Sequence, residues 1–451
     1  MYKLPGKLKL FSIILMVVGA VGLAFAFLSV PSDTQEVKEI LAEQEAHHGN
    51  GHNTENHAEE QTHQVSENSQ QHAAASTPGA DAGHHDQQHL EHVLHQMQNR
   101  PISATLVAAF FFFMIALGTL VFHAIQYVSQ AGWSPILYRV MEGITNYLLP
   151  GSIIVFLIVV FAGDHFYIWR NDEILAHDEI LQEKSSYLNM PFLIIRMLIY
   201  LGGYNLYRYI VRKNSLRQAE VSDYTPYKKN FKASVYFLIF FLITEAMMAW
   251  DFFMSLEPHW YSTLFAWYVF ASLFVTAITT IALVVIFLKR AGYSSMVHDS
   301  HLHDLAKYIF AFSIFWTYLW FSQFMLIWYA NIPEEVTYFI LRIEEYNLLF
   351  FGMLVLNFVF PILILMNTDF KRVPWFVIGT GVVVLVGHYI DIFLLVTPST
   401  VGENWGFGIP EIAAISLFLG LFILFVGNGL AKSPLHPKGD PFIKESENYH
   451  Y

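Results

Sequence analysis

Cysteine is absent from the 451 residues. That excludes a disulfide framework, a thiolate-held iron–sulfur cluster, c-type haem attachment and a lipidated N-terminal cysteine. A redox cofactor held covalently or by thiolate must therefore sit on another chain. Charge is scarce too: 14% of residues are Asp, Glu, Lys or Arg, against about 25% in soluble domains. The length would suit roughly three soluble domains, but so few charges cannot cover three water-facing surfaces. No basic patch of the kind nucleic acid requires is present, so nucleic acid is not an expected partner.

What is present is apolar. Hydrophobic residues make up 55% of the chain and aromatics 16%, with 40 Phe. Apolar runs near the length that crosses a bilayer as a helix fall at about 8–30, 103–128, 147–169, 190–212, 232–255, 261–288, 305–330, 346–366, 373–396 and 409–431. They predict an all-α polytopic membrane protein with about ten transmembrane helices. The first run follows Lys3, Lys7 and Lys9, as in a signal peptide, but it continues to Val30 and is long enough to span. Ala24-Phe25-Ala26 is only a weak cleavage site, so an uncleaved anchor over 1–30 is expected. Residues 101–431 then form the main transmembrane domain and 432–451 a tail.

Basic residues set the expected orientation. With the N-terminus inside, the inner connections carry Arg208, Arg212, Lys213, Arg217, Lys228, Lys229, Lys232, Lys289, Arg290, Lys371 and Arg372, and the tail adds Lys432, Lys438 and Lys444. The outer side has only Lys38, Arg100, Arg170, Lys184 and Arg342. Both termini are expected in the cytoplasm.

Residues 31–100 form one outer insert with twelve acidic and two basic residues, which accounts for −10 of the net charge of −12. Its composition cannot bury enough apolar area to offset ordering entropy, so a largely disordered segment is expected. Its flanks, Thr34–Gln44 and Gln87–Met97, read as short amphipathic surface helices. Eleven of the 21 histidines lie here, among them His47, His48, His84, His85, His89, His92 and His95. His92 and His95 are three apart and can share a helix face with His89 or His85. A metal site there is the weaker reading beside a solvated, variable insert. Ser134–Gly143 reads as an interfacial helix, and 171–187 as an acidic surface helix.

Ionisable residues inside spans are costly and are functional candidates by default. The third span ends on Asp164 and His165. The fifth holds Glu245, about 20 Å along its helix, then Asp251, and runs into Glu257 and His259. The ninth holds His388 and Asp391, three apart and therefore on one helix face. A carboxylate beside an imidazole fixes its tautomer and suits a proton relay; a packed helix end is the bland alternative. Arg196 is a candidate partner for Glu245. Glu245, Asp251, His388 and Asp391 are expected to line one polar path, with Asp164 and His165 as further candidates and Glu142 as a candidate inner entry. His298, His301, His303 and Asp304 read as solvated loop residues. A bis-His haem lacks two histidines at facing depths.

Three stretches carry a resemblance: Asp251–Thr263 (DFFMSLEPHWYST), Phe321–Glu335 (FSQFMLIWYANIPEE) and Gly387–Asp391 (GHYID). With the ten-span layout, residues 101–445 resemble the NrfD-like superfamily of polysulfide-reductase-type membrane subunits, and within it the shorter NrfD-like subunit of alternative complex III. The insert departs from that pattern and carries no inference. The resemblance implies two four-helix bundles, spans two to five and six to nine, with spans one and ten peripheral. It implies a bacterial inner-membrane assembly that oxidises menaquinol and passes electrons to a cytochrome c or to a terminal oxidase. Haem and iron–sulfur clusters would sit on partner subunits, a multihaem cytochrome c and an iron–sulfur protein, beside a second NrfD-like subunit and lipid. This chain would hold no covalent cofactor and would supply a proton path, a scaffold or a menaquinol contact, for which His165, Glu257 and His259 are the candidates. Two readings compete: a secondary transporter, hinted at by Glu245 and the pair Gly202-Gly203 but without an evident inverted repeat, and a purely structural anchor.

Overall fold

The computed structural model describes residues 2–49 and 81–450. Over these the chain is helical and contains no strand. Helix α1 spans Gly6–Leu28 and α2 Thr34–Gly49. Helix α3, Asp81–Val128, is 48 residues long and runs through Pro101. The expected surface helix at Gln87–Met97 is thus the first part of a spanning helix. Val37 and Leu41 of α2 pack there against Leu90, Val93, Leu94 and Met97, in a small apolar cluster of their own.

Helix α4, Pro135–His165, is continuous through short 3-10 turns. It absorbs the segment expected as an interfacial helix: every residue from Tyr138 to Ile144 is buried. Two short surface helices follow, Asp172–His177 and Glu179–Lys184. Each is started by a side-chain cap, Asn171 on the amides of Glu173 and Ile174 and Asp178 on that of Leu181. Then come α5 (Met190–Gln218), α6 (Thr225–Phe252), α7 (Phe265–Arg290) and α8 (Asp299–Ala330). Helix α9, Pro333–Glu344, is short. Helix α10, Asn347–Leu365, contains a π-helical turn at Val355–Val359. Helices α11 (Pro374–Val401) and α12 (Ile409–Ala431) complete the set.

Among the described residues, nine helices are long and apolar enough to cross a membrane. The chain is an all-α polytopic membrane protein. The remaining expected span, at 190–212, is α5. It has spanning length at 29 residues, but Arg196, Arg208, Arg212, Lys213 and Arg217 break its apolar run.

Helices α3, α4, α5 and α6 close one four-helix bundle, and α7, α8, α10 and α11 close a second. Helix α3 joins them by packing on α7 and α11, while α1 and α12 pair with each other at the periphery. This is the expected two-bundle layout. The α1–α12 pair is close because of Gly19: a Cβ there would lie 2.4 Å from the Leu417 backbone nitrogen. Large apolar side chains on α1 and α6, including Val17, Val21, Ile239 and Ile243, are exposed, as a lipid-facing surface requires. The backbone polar groups are satisfied inside the helices, as lipid demands.

The two ends of the bundles differ. At one end Tyr2 packs on Tyr293 with ring centroids 5.0 Å apart, Ser446 Oγ donates to Trp133 O at 2.6 Å, and Tyr449 donates to Asp304 at 2.6 Å. Both termini and the basic connections therefore share that end. The opposite end joins Arg100 to Glu411, Asn404 to Gln96 and Arg342 to Glu257. One expectation fails at the basic end. His301 and His303 are not solvated loop residues but are buried in the first turn of α8, 0% and 1% exposed. The folded-back tail covers His301, whose ring lies 5.5 Å from that of Tyr449.

Candidate functional site

The candidate residues divide between the two bundles. In the first, Asp251 on α6 receives the Arg196 guanidinium of α5: Nη2 to Oδ1 at 2.8 Å and Nε to Oδ2 at 3.0 Å. Both side chains are buried, 2% and 0% exposed. Arg196 also donates to Tyr187 O at 2.9 Å and stacks 3.8 Å from the Tyr187 ring. Arg196 therefore belongs to Asp251 and not to Glu245, the partner expected from sequence. A bidentate fork satisfies both charges at once, which a buried pair needs.

Glu245 is 6% exposed and its Oε1 has no hydrogen-bond partner among the described residues. Beside it, Tyr204 donates to Thr244 Oγ1 at 3.0 Å. Toward the basic end the buried stripe of α6 continues as Phe241, Phe237, Ser234 and Asn230. The polar groups of this bundle are thus interrupted by two phenylalanines. Below them, Glu142 is gripped by Arg139 Nη1 at 2.9 Å and by Arg212 Nη1. Arg139 also donates to Ser215 O at 3.0 Å and Arg212 to Ser433 Oγ at 2.8 Å. A carboxylate between two guanidiniums stays ionised and is a poor proton carrier. The same region holds His123, 1% exposed with neither ring nitrogen partnered. Sequence reasoning passed over it; the available signal was a histidine inside an otherwise apolar run.

In the second bundle, Asp391 and His388 are both fully buried and Nδ1 lies 3.2 Å from Oδ2, as their spacing foretold. Three neutral donors also converge on Asp391: the Tyr268 hydroxyl, Ser272 Oγ at 2.9 Å and Trp316 Nε1 at 2.9 Å. These donors come from α7 and α8 and were not legible from sequence. His388 Nδ1 faces the carboxylate and Ser272 Oγ at 3.1 Å, and its Nε2 is buried with no hydrogen-bond partner among the described residues. Asn357, on the π-helical turn of α10, is fully buried with both amide atoms unpartnered. π-Helical turns are frequent at functional sites.

Glu245 and Asp251 thus lie in one bundle and His388 and Asp391 in the other, and among the described residues no hydrogen bond joins the two pairs. The four residues expected to line one polar path are therefore divided between the two bundles. Each helix presents its polar face to the interior of its own bundle.

The quinone-contact candidates also part company. His165 Nδ1 lies 3.2 Å from Asn99 Oδ1. It lines a polar cavity of about 360 Å³ with His92, His95, Asp164 and Glu403. Asp164 pairs with Arg170 at 2.7 Å and is otherwise exposed. Glu257 is taken by Arg342 at 3.0 Å and Ser399 at 2.6 Å. His259 pairs with Asp178 at 2.6 Å and faces a different cavity of about 550 Å³ walled by Trp250, Trp260 and Tyr187. The Leu181 amide, followed by His259, holds the Asp178 carboxyl below its ordinary range. His89 is exposed, while His92 turns to Gln96 at 2.8 Å and His95 to Asn99 at 3.0 Å. Among the described residues no group of three His, Asp or Glu is placed to hold a metal ion. The histidines at 47, 48, 84 and 85 lie outside the residues whose side chains are described.

His165, Asn99 and His95 line the cavity of about 360 Å³ and are hydrogen-bonded to one another, and Glu257 is committed to Arg342. No family model and no curated protein matches this chain.

Proposed function

We propose that this chain is an integral membrane subunit of a respiratory menaquinol-oxidising assembly of the alternative complex III type. It carries no redox centre; it moves protons and holds its partners in place. The observation that carries the reading is the pair of four-helix bundles, each with fully buried ionisable side chains in a chain without cysteine. Buried ionisable groups in a membrane are expensive and are kept where charge or protons move. His388, held by Asp391 with Nε2 bare, is built to accept a proton. Glu245, without a cation beside it, is built to hold one. The His165 cavity is the place for a menaquinol contact. Electrons would pass through haem and iron–sulfur clusters of partner subunits, a multihaem cytochrome c and an iron–sulfur protein, next to a second NrfD-like chain and on to a cytochrome c or terminal oxidase. The Lys/Arg distribution supports both termini in the cytoplasm, and the bacterial inner membrane is the location that an assembly of this type takes.

Two measurements test this. Affinity purification of the chain in mild detergent should bring multihaem and iron–sulfur subunits with it; a chain that purifies alone argues for a transporter. In proteoliposomes of the assembly, Glu245→Gln should lower the proton-to-electron ratio while subunit composition stays intact. Gln keeps the size and hydrogen bonding but cannot exchange a proton. An unchanged ratio and turnover in both Glu245→Gln and Asp391→Asn would leave the scaffold role alone standing.

A further inference from the structure

We infer that Asp440, in the C-terminal tail, is the group through which protons enter the first bundle from the basic end. The inference rests on the proton-conducting reading above and replaces Glu142 as the entry group.

The tail reaches the bundle because of Gly439. Its φ is +81°, and a Cβ there would lie 2.4 Å from Gln218 O, so a side chain would lift the tail from α5. Docked in this way, Asp440 is 8% exposed. Its Oδ1 accepts the Phe442 amide at 2.9 Å, and no hydrogen bond to Oδ2 is seen among the described residues. Between Asp440 and the bundle lies a polar cavity of about 10 Å³, lined by Tyr127, Tyr138, Tyr227, Asn230 and Gln218. That is roughly the space one water needs, and a water needs two to four polar partners. The partners are there: the Tyr227 hydroxyl and Asn230 Oδ1 are buried with no hydrogen-bond partner.

Beyond the cavity the polar groups continue inward. Asn230 Nδ2 donates to the Tyr127 hydroxyl at 3.3 Å. The Tyr127 and Tyr138 rings lie 4.8 Å apart, and His123 stands 5.1 and 4.9 Å from them. Its unpartnered nitrogens are the next stop for a proton carried by water.

The groups that face Asp440 set its titration. Tyr127 on α3, Tyr138 on α4 and Tyr227 on α6 are neutral; Arg139 on α4 is the cation acting on it, already engaged by Glu142; Lys438 lines the same cavity from the tail itself. Burial dominates and pushes the Asp440 carboxyl up to about 6. The acid is therefore protonated below about pH 6 and ionised above it, close enough to neutrality to load and release a proton in each cycle. Glu142, clamped by two guanidiniums, has no such freedom.

The test uses the intact assembly in proteoliposomes, with proton uptake measured from the basic side between pH 5 and 8. Asp440→Asn keeps the acceptor for the Phe442 amide and removes the titrating proton. Uptake should fall about tenfold or more at pH 7, the inflection near pH 6 should vanish, and Asp440→Glu should restore both. Resistance of the tail to limited proteolysis in Asp440→Asn checks that docking survives. If Glu245→Gln abolishes uptake while Asp440→Asn leaves rate and pH profile unchanged, Asp440 is not the entry and the proton-conducting reading stands. If neither variant changes uptake, Asp440 is not the entry, and if Asp391→Asn leaves it unchanged as well, the proton-conducting reading falls too. A lowered rate with an unchanged pH profile, unrescued by Glu, marks a tail contact only and overturns the inference.

Discussion

A carboxylate buried in a membrane must be paired, neutral or beside water, and four residues here differ in how they are surrounded. Asp251 takes a bidentate arginine. Glu142 takes two arginines. Asp391 takes three neutral donors and an imidazole, and Glu245 takes none of these. The physical difference is testable at Arg196. Arg196→Met leaves Asp251 buried and uncompensated, which should cost about 3–5 kcal/mol and show as a large drop in thermal stability in detergent. Arg196→Met with Asp251→Leu should recover most of the loss, because two apolar groups carry no desolvation penalty; a double variant as unstable as the single would contradict this account. The His388–Asp391 contact was readable in advance because both residues sit on one helix three positions apart. The Arg196–Asp251 pair was not, since it joins helices separated by a turn and spacing says nothing about which helices face each other.

Individual helices were legible by the length of their apolar runs, and less so by where they begin. Helices α3, α4 and α8 each start earlier than their apolar runs. The turns ahead of those runs carry Asn99, Arg139, Glu142, His301 and His303, which look solvent-exposed in sequence. In the fold these residues are buried and find partners or cover on neighbouring elements. The peripheral pair α1–α12 depends instead on small residues. Gly19→Leu places a side chain where the Leu417 and Ala413 backbones already sit. Overpacking of this kind costs about 1–3 kcal/mol. Disulfide cross-linking between cysteines introduced along the two helices should fall in the variant relative to the parent. Equal cross-linking would show that the helices need no close approach.

At the scale of the whole molecule, the two ends carry different charge, and the proposed topology rests on that asymmetry. The chain has no cysteine, so single reporters are easily placed. Ser222, in the bend before α6, and Glu173, in the short helix Asp172–His177, are both exposed at opposite ends. With the outer membrane permeabilised, Glu173→Cys should react with an impermeant thiol reagent in intact cells and Ser222→Cys should not; the reverse pattern would invert the topology. The sequence by itself determined the class of protein, its helices, and which end carries the basic residues, because apolar length and charge distribution are properties of the chain read one segment at a time. The two-bundle layout entered as an expectation carried by resemblance, and the folded chain has it. Only the tertiary structure decided that the buried carboxylates are divided between the two bundles, that Arg196 serves Asp251, that Glu142 is locked and that the tail brings Asp440 to the bundle. Those contacts depend on which faces of distant helices meet, and a pairwise energy between residues tens of positions apart leaves no periodic trace in the sequence.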